Sequence, residues 1–393
     1  MAHGEGRQAG HRGRSGALPR PGTGCDRHRP VTRSLRRLAA AGLAAATVGL
    51  VPAVPARADE IRDQQWHLAF LHVDEAHRYS QGDGVVVGLV DSGVDANHPD
   101  LAGNVLAGTD ISDPARDGRT DQDYAQGHGT GMAGFIAAHG HGGNTGALGI
   151  APKAKILPVA SGPGHRIFGD DGAKGVRWAA DHGARVICFA GGGEGSDDEA
   201  MRAAIKEAFA HDVVVVAAVG NRPEVGAVAF PARYDGVVAA AGVDEKGEHA
   251  AVSVTGPAVV LSAPAVDTVS TLPDNGYGTG VGTSAATAII AGAAALVRAR
   301  FPNLSAKEVI HRLTATAIDK GPPGRDDQYG YGIVNLVGAL TADVPPLQAS
   351  ATPQPTASAH AGRPHRNSIA LPVAAVAVLI AAGSVLLVWR TRR

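Results

Sequence analysis

The sequence predicts an α/β domain with a mainly parallel central sheet, followed by one C-terminal transmembrane helix. Three observations carry this. Continuously apolar runs at 85–90, 213–219 and 236–243 suit strands buried on both faces of a parallel sheet. Helical stretches of 10–15 residues alternate with such runs, the pattern of a parallel α/β sheet. Residues 369–389 then form a stretch without a single charge, long enough as a helix to cross about 31 Å of bilayer.

Taken in order, residues 1–58 read as a secretory signal region. A basic flank at Arg33–Arg37 precedes an apolar, small-residue segment at 38–54, and Ala56-Arg57-Ala58 fits a cleavage site after residue 58. Pro52 and Pro55 argue against an uncleaved anchor. Residues 59–84 are too short to fold alone and read as an N-terminal arm, with Trp66, Leu68, Phe70 and Leu71 packed on the domain. The main domain spans 85–342. Its first strand covers 85–90, and a short apolar helix covers 132–138. Strand 155–159, helix 171–182 and strand 186–189 follow. Ser196-Asp197-Asp198-Glu199 forms a capping box for a helix ending near His211, and Ser305-Ala306-Lys307-Glu308 a second one for a helix through Thr316. Residues 343–368, rich in Pro, Ala, Ser and Thr, form a disordered linker. Arg390, Arg392 and Arg393 follow the apolar span and place a short tail, 390–393, in the cytoplasm. The domain then faces the outside of the plasma membrane.

The formal charge of −1 conceals an asymmetry. Residues 1–37 carry nine Arg against Glu5 and Asp26, whereas residues 59–342 carry 34 Asp and Glu against 21 Lys and Arg. So acidic a domain argues against nucleic acid as a partner. The 53 glycines suit a fold of many tight turns. Of the two cysteines, Cys25 falls in the segment expected to be removed. Cys188 is then left without an intramolecular disulfide partner.

Chemistry concentrates in three stretches. Gly282-Thr283-Ser284-Ala285-Ala286 joins a glycine-containing loop, 277–283, to a buried helix at 285–301. Ser284 therefore lies at or beside a helix N-terminus, where free N–H groups and the helix dipole stabilise a developing negative charge. The first strand ends at Asp91-Ser92-Gly93, and Gly127-His128-Gly129-Thr130 leads into the helix at 132. A serine hydroxyl needs an adjacent base to become a nucleophile. The chain order Asp91, His128, Ser284, with gaps of 37 and 156 residues, matches the subtilisin order and not those of chymotrypsin or the α/β-hydrolases.

From about Gln65 to Leu340 the chain resembles the subtilisin-like serine proteases. The resemblance rests on Asp91-Ser92-Gly93-Val94-Asp95 with His98-Pro99-Asp100-Leu101, on Gly127-His128-Gly129-Thr130, on Gly220-Asn221 and on Gly282-Thr283-Ser284. The opening at Ile61–Leu68, with an anchor at the far end, is most similar to the mycosin branch, membrane-bound proteases associated with type VII secretion. Mycosins as a family tend to carry disulfides, which this chain departs from. The resemblance implies a three-layer domain and a serine endopeptidase acting on protein or peptide substrates, with a type VII secretion complex as partner.

It also implies roles. Ser284 is the nucleophile, His128 the general base and Asp91 the group that holds the imidazole. Asn221 donates to the oxyanion. Ala190, Gly191 and Gly192 form an edge that pairs with extended substrate, and Ala217, Ala218, Val219 and Gly220 wall the specificity pocket. Cys188 and Ala190 stand where the family usually has Asn and Ser, and Ala288 replaces a proline. Each role has a plainer counterpart: a helix-capping serine, a strand-end aspartate, a left-handed turn asparagine. No cofactor is required for this chemistry. Asp100 matches a calcium ligand of many subtilisins, but calcium takes six to eight oxygens. The acidic loop 110–123 offers further oxygens or is simply solvated, so the metal stays unknown. A non-enzymatic scaffold of a secretion complex is the competing class.

Overall fold

The computed structural model describes residues 60–347, apart from 124–125, 143–144, 163–168 and 192–196. The signal region, Cys25, most of the linker, the 369–389 span and the tail lie outside them. Among the described residues no helix is long and apolar enough to cross a membrane.

Three short helices, α1 (Glu60–Gln64), α2 (Trp66–Phe70) and α3 (Val73–Ala76), precede β1 (Val86–Asp91). Then come β2 (Thr109–Asp110), α4 (His128–Ala137), and the antiparallel pair β3 (His139–His141) and β4 (Thr145–Leu148). The alternating part follows: β5 (Lys155–Ala160), α5 (Gly169–Asp181), β6 (Val186–Phe189), α6 (Glu199–Ala210), β7 (Val214–Ala218), β8 (Val238–Val243) and β9 (Leu261–Pro264). A hairpin of β10 (Thr268–Leu272) and β11 (Gly276–Gly280) leads into α7 (Thr283–Arg300). Helices α8 (Ala306–Ala315) and α9 (Leu336–Thr341) end the described chain.

Seven strands form one sheet in the order β2-β5-β1-β6-β7-β8-β9, and every pairing in it is parallel. The continuous apolar runs have a direct cause here. Val186 and Cys188 of β6 enter a core with α4 and α7, whereas Ile187 and Phe189 enter a second core with α5 and α6. Strand side chains alternate between faces, so a strand covered on both faces must be apolar at every position. Helix α7 is buried along nearly its whole length, as its all-round apolar composition requires.

The sequence-based boundaries hold for the central strands to within two residues, and three local expectations change. Residues 277–280 are not loop but most of strand β11, paired with β10 from Thr268↔Gly280 to Leu272↔Gly276. The cap of α6 is Asp198, whose carboxylate accepts from the N–H groups of Ala200 and Met201; Ser196 lies outside the described residues. An aspartate directly before the helix offers a charged acceptor to two open N–H groups. Helix α4 starts at His128 itself, four residues before the apolar stretch. The second capping box is present as read, with Ser305 and Glu308 bonded reciprocally.

The N-terminal arm lies on the domain through Leu71 and, in part, Leu68 and Phe70. Its polar residues are tied in as firmly. The Gln65 side chain is 2 % exposed. It donates to the carbonyls of Leu148 (3.1 Å) and Val269 (3.2 Å) and accepts from Leu148 N–H (2.8 Å). Trp66 Nε1 donates to the carbonyls of Val266 and Asp267, both at 3.1 Å. Thus the arm grips the start of the β10–β11 hairpin.

Candidate active site

Strand β1 carries Asp91 to the end of the sheet, where its carboxylate is fully buried. The His128 ring meets it in a two-point contact: Nδ1 lies 2.8 Å from Oδ1 and 3.0 Å from Oδ2. Ser92 N–H also donates to Oδ1 at 2.8 Å. A carboxylate offers only acceptors, so Nδ1 carries the hydrogen and Nε2 is the acceptor nitrogen of the neutral ring. Burial lowers the His128 pKa, but the charges of Asp91, Asp121 and Asp123 and the bond to Asp91 more than offset this, and it ends above the ordinary histidine value.

The glycines flanking His128 have steric reasons. Gly127 caps α4 in the left-handed region at φ +59°, and a Cβ there would lie 2.1 Å from Pro273 Cδ. A Cβ on Gly129 would lie 2.0 Å from the Gly93 carbonyl oxygen. Only glycine lets the helix start approach both the hairpin and the Asp91 turn so closely.

Ser284 is the second residue of α7. Its hydroxyl donates to the Ala190 carbonyl at 2.9 Å. Asn221 Oδ1 accepts from the N–H (2.9 Å) and hydroxyl (3.0 Å) of Thr283, and among the described residues its amide hydrogens have no acceptor. Among the described residues no acceptor takes the Ser284 N–H. Two donors, one side-chain and one backbone, therefore stand at the positive end of α7 beside the hydroxyl.

His128, Asn221 and Ser284 line one cleft of about 620 Å³. Its other walls are Met132 and Phe135 of α4, Ala285 of α7 and the β10–β11 hairpin. Sequence reasoning missed the hairpin as a wall. The only signal was the Thr and Ser content of 268–271, whose hydroxyls seal the hairpin to α4: Ser270 Oγ donates to the Gly131 carbonyl (2.7 Å) and Thr271 Oγ1 to that of Thr130 (2.8 Å).

Of the residues expected to contact substrate, Ala190 stands beside Ser284, whose hydroxyl its carbonyl accepts. Ala190, Gly191, Ala217, Ala218, Val219 and Gly220 do not line this cleft. Ala217 and Val219 are fully buried. Gly192 lies outside the described residues. Cys188 is buried and its thiol pKa is pushed well up by burial, so it stays protonated.

Asp100 has the wrong surroundings for calcium. Its buried carboxylate accepts from His141 Nδ1 (2.5 Å), Ala147 N–H (2.7 Å) and the Tyr277 hydroxyl (2.8 Å). These are hydrogen donors, not the oxygen cage that calcium takes. The residue instead joins β11 to the β3–β4 pair.

Comparison with known proteins identifies the family. The subtilase family model matches residues 82–332. Subtilisin DY of Bacillus licheniformis is 36% identical over 269 residues, 66% of this chain and 92% of that protein. Among solved structures, MycP1 with its N-terminal propeptide removed is similar with a TM-score of 0.63 at 28% identity, covering 72% of this chain and 98% of that one. MycP3 protease from the type VII (ESX-3) secretion system gives a TM-score of 0.60 at 30% identity, covering 71% and 88%. With the family model matching 82–332 and a relative at 36% identity covered over 92% of its length, the chain belongs to the subtilase family of serine peptidases.

Proposed function

We propose that this peptidase cleaves proteins at the outer face of the plasma membrane, with Asp91, His128 and Ser284 as its triad and Asn221 in its oxyanion site. The observation that carries the proposal is the paired contact of the Asp91 carboxylate with His128 Nδ1, in the cleft that Ser284 and Asn221 also line. Rotation about χ1 turns the Ser284 hydroxyl from the Ala190 carbonyl toward the imidazole. His128 Nε2 then takes the hydroxyl proton as Oγ attacks the scissile carbonyl, and Asp91 balances the imidazolium. The oxyanion receives the Asn221 amide and the Ser284 N–H. His128 next hands the proton to the leaving amine, and water hydrolyses the acyl-enzyme by the reverse path.

Localisation rests on the sequence: the signal region at 1–58 and the uncharged span at 369–389, with arginines after it. The substrates are exported proteins held near the membrane. A type VII secretion complex is the partner class that the likeness to MycP1 and MycP3 supports.

A fluorophosphonate probe tests the chemistry on the full chain. Wild type should label and Ser284→Ala should not. A folded wild type that resists the probe overturns the triad and favours a scaffold. Membrane fractionation with and without residues 369–393 tests the anchor; a truncated chain that stays in the membrane pellet refutes it.

A further inference from the structure

We propose that Asp121 is a positioning residue of the triad, a buried carboxylate that locks the Asp91 turn to the first turn of α4 and sets a second negative charge behind His128. The inference rests on the triad reading above and extends it to a residue outside the cleft.

Asp121 lies in the connection between β2 and α4 and is 4 % exposed. One oxygen, Oδ1, accepts from Ser92 Oγ (2.8 Å) and from Asp123 N–H (3.0 Å). The other, Oδ2, accepts from the N–H (2.8 Å) and hydroxyl (2.6 Å) of Thr130. Ser92 adjoins Asp91 and Thr130 is two residues past His128. A single carboxylate therefore bridges the two segments whose separation fixes the Asp91–His128 contact.

The direction of every bond in this cluster is set by its neighbours. Gly129 N–H donates to Ser92 Oγ (3.0 Å) and Asp95 N–H to Thr130 Oγ1 (3.0 Å). Each hydroxyl already accepts, so each donates its hydrogen: Thr130 Oγ1 to Asp121, and Ser92 Oγ to Asp121 at 2.8 Å in preference to Asp91 Oδ1 at 3.2 Å. Four donors converge on two oxygens and no acceptor faces them. Only the ionised form satisfies all four. The donors offset only part of the effect of burial, which leaves the Asp121 pKa above the ordinary carboxylate value; it is the donor geometry that favours the ionised form.

Helix α4 explains why a distant residue is needed. Its cap is Gly127, which has no side chain to offer. The open N–H groups of Gly129 and Thr130 are taken by Ser92 Oγ and Asp121. The cap of the histidine helix is thus supplied by the aspartate turn and by a carboxylate nine residues upstream. The charges that act on the imidazole are Asp91 from β1 and Asp121 and Asp123 from the loop before α4; the neighbouring elements also carry Asp95, past the β1 turn, and Asp274, on the hairpin side of the cleft.

Asp121→Asn removes the charge and turns one acceptor into a donor, so it can keep only one side of the bridge. The test is the pH dependence of fluorophosphonate labelling of the full chain, together with His128 titration by NMR. Asp121→Asn should lower the plateau labelling rate by roughly 10- to 100-fold through misplacement. It should also move both the acid limb and the imidazole titration to lower pH. Thr130→Val removes one hydroxyl donor without touching the charge; it should lower the plateau and leave the acid limb in place. A purely structural Asp121 would lower thermal stability and leave the limb and the titration unmoved, and that result overturns the proposal. If Asp121→Asn does not fold, Thr130→Val decides, and an unchanged plateau refutes the bridge. If wild type itself does not label, the triad reading fails, and the His128 titration in Asp121→Asn still decides this one.

Discussion

His67 should make the protein lose stability in mild acid, and by a calculable amount. This residue of α2 is completely buried, its ring 5.4 Å from that of Phe135 in an edge contact, and among the described residues neither ring nitrogen has a hydrogen-bond partner. Burial lowers its pKa from 6.5 to about 3. Between those values the unfolded chain binds a proton that the folded chain refuses, so stability falls as pH falls through 6.5. Each unit of pH in that window costs about 1.4 kcal/mol, and the step from pH 7 to pH 5 costs about 2 kcal/mol. His77, His98 and His249 are also lowered by burial and act with the same sign, so wild type alone cannot isolate the effect.

The difference between wild type and His67→Leu can. Leucine keeps an apolar side chain against Phe135 and has nothing to protonate. Urea unfolding at both pH values, in a Ser284→Ala background to prevent self-digestion, gives the double difference. The variant should gain about 2 kcal/mol on wild type between pH 7 and pH 5. An equal difference at the two pH values would falsify the burial argument, because it would mean that His67 is protonated in place or reaches solvent.

Three further outcomes follow from the site. Asn221→Ala should lower kcat by roughly 10²–10³-fold with little change in KM; a change confined to KM would remove Asn221 from the oxyanion site. Gly129→Ala places a methyl group 2.0 Å from the Gly93 oxygen and should cost about 1–3 kcal/mol, read as a fall in Tm; an unchanged Tm would show that the Asp91 turn yields freely. Because His128 is raised above 6.5, the acid limb of kcat/KM should lie above pH 6.5, with activity lost as the ring protonates. Its linkage is opposite to that of His67: the protonated pair stabilises the fold below pH 6.5, and this is lost as pH rises through the folded value. A limb at or below 6.5 contradicts the carboxylate cluster around the ring.

What the sequence reveals and conceals divides along physical lines. Strands β1, β6, β7 and β8 were legible because two covered faces leave no place for a polar residue. Gly127-His128-Gly129 and Gly282-Thr283-Ser284 were legible because their glycines answer to steric demands that few turns make. The β10–β11 hairpin was not, because its strands hold Gly, Thr and Ser whose pairing depends on carbonyls of α4 far away in the chain. Gln65 and His67 were hidden for the opposite reason: a polar residue buried by tertiary contact has the same letter as one on the surface.

Asn221 and Asp121 show how these two kinds of information meet. Helices α4 and α7 both begin at a glycine without a capping side chain. In each case the cap comes from another segment, Asn221 for Thr283 and Asp121 for Thr130. A local serine or aspartate cap would have fixed each helix only to itself. A remote cap fixes the helix to the strand end or loop that must stand beside it, so satisfying the helix terminus and aligning the reacting groups become one set of hydrogen bonds. Capping patterns read along the chain find Ser305 and miss both of these. A helix that opens on a glycine one or two residues before a histidine or serine therefore marks a place to look for a distant polar partner.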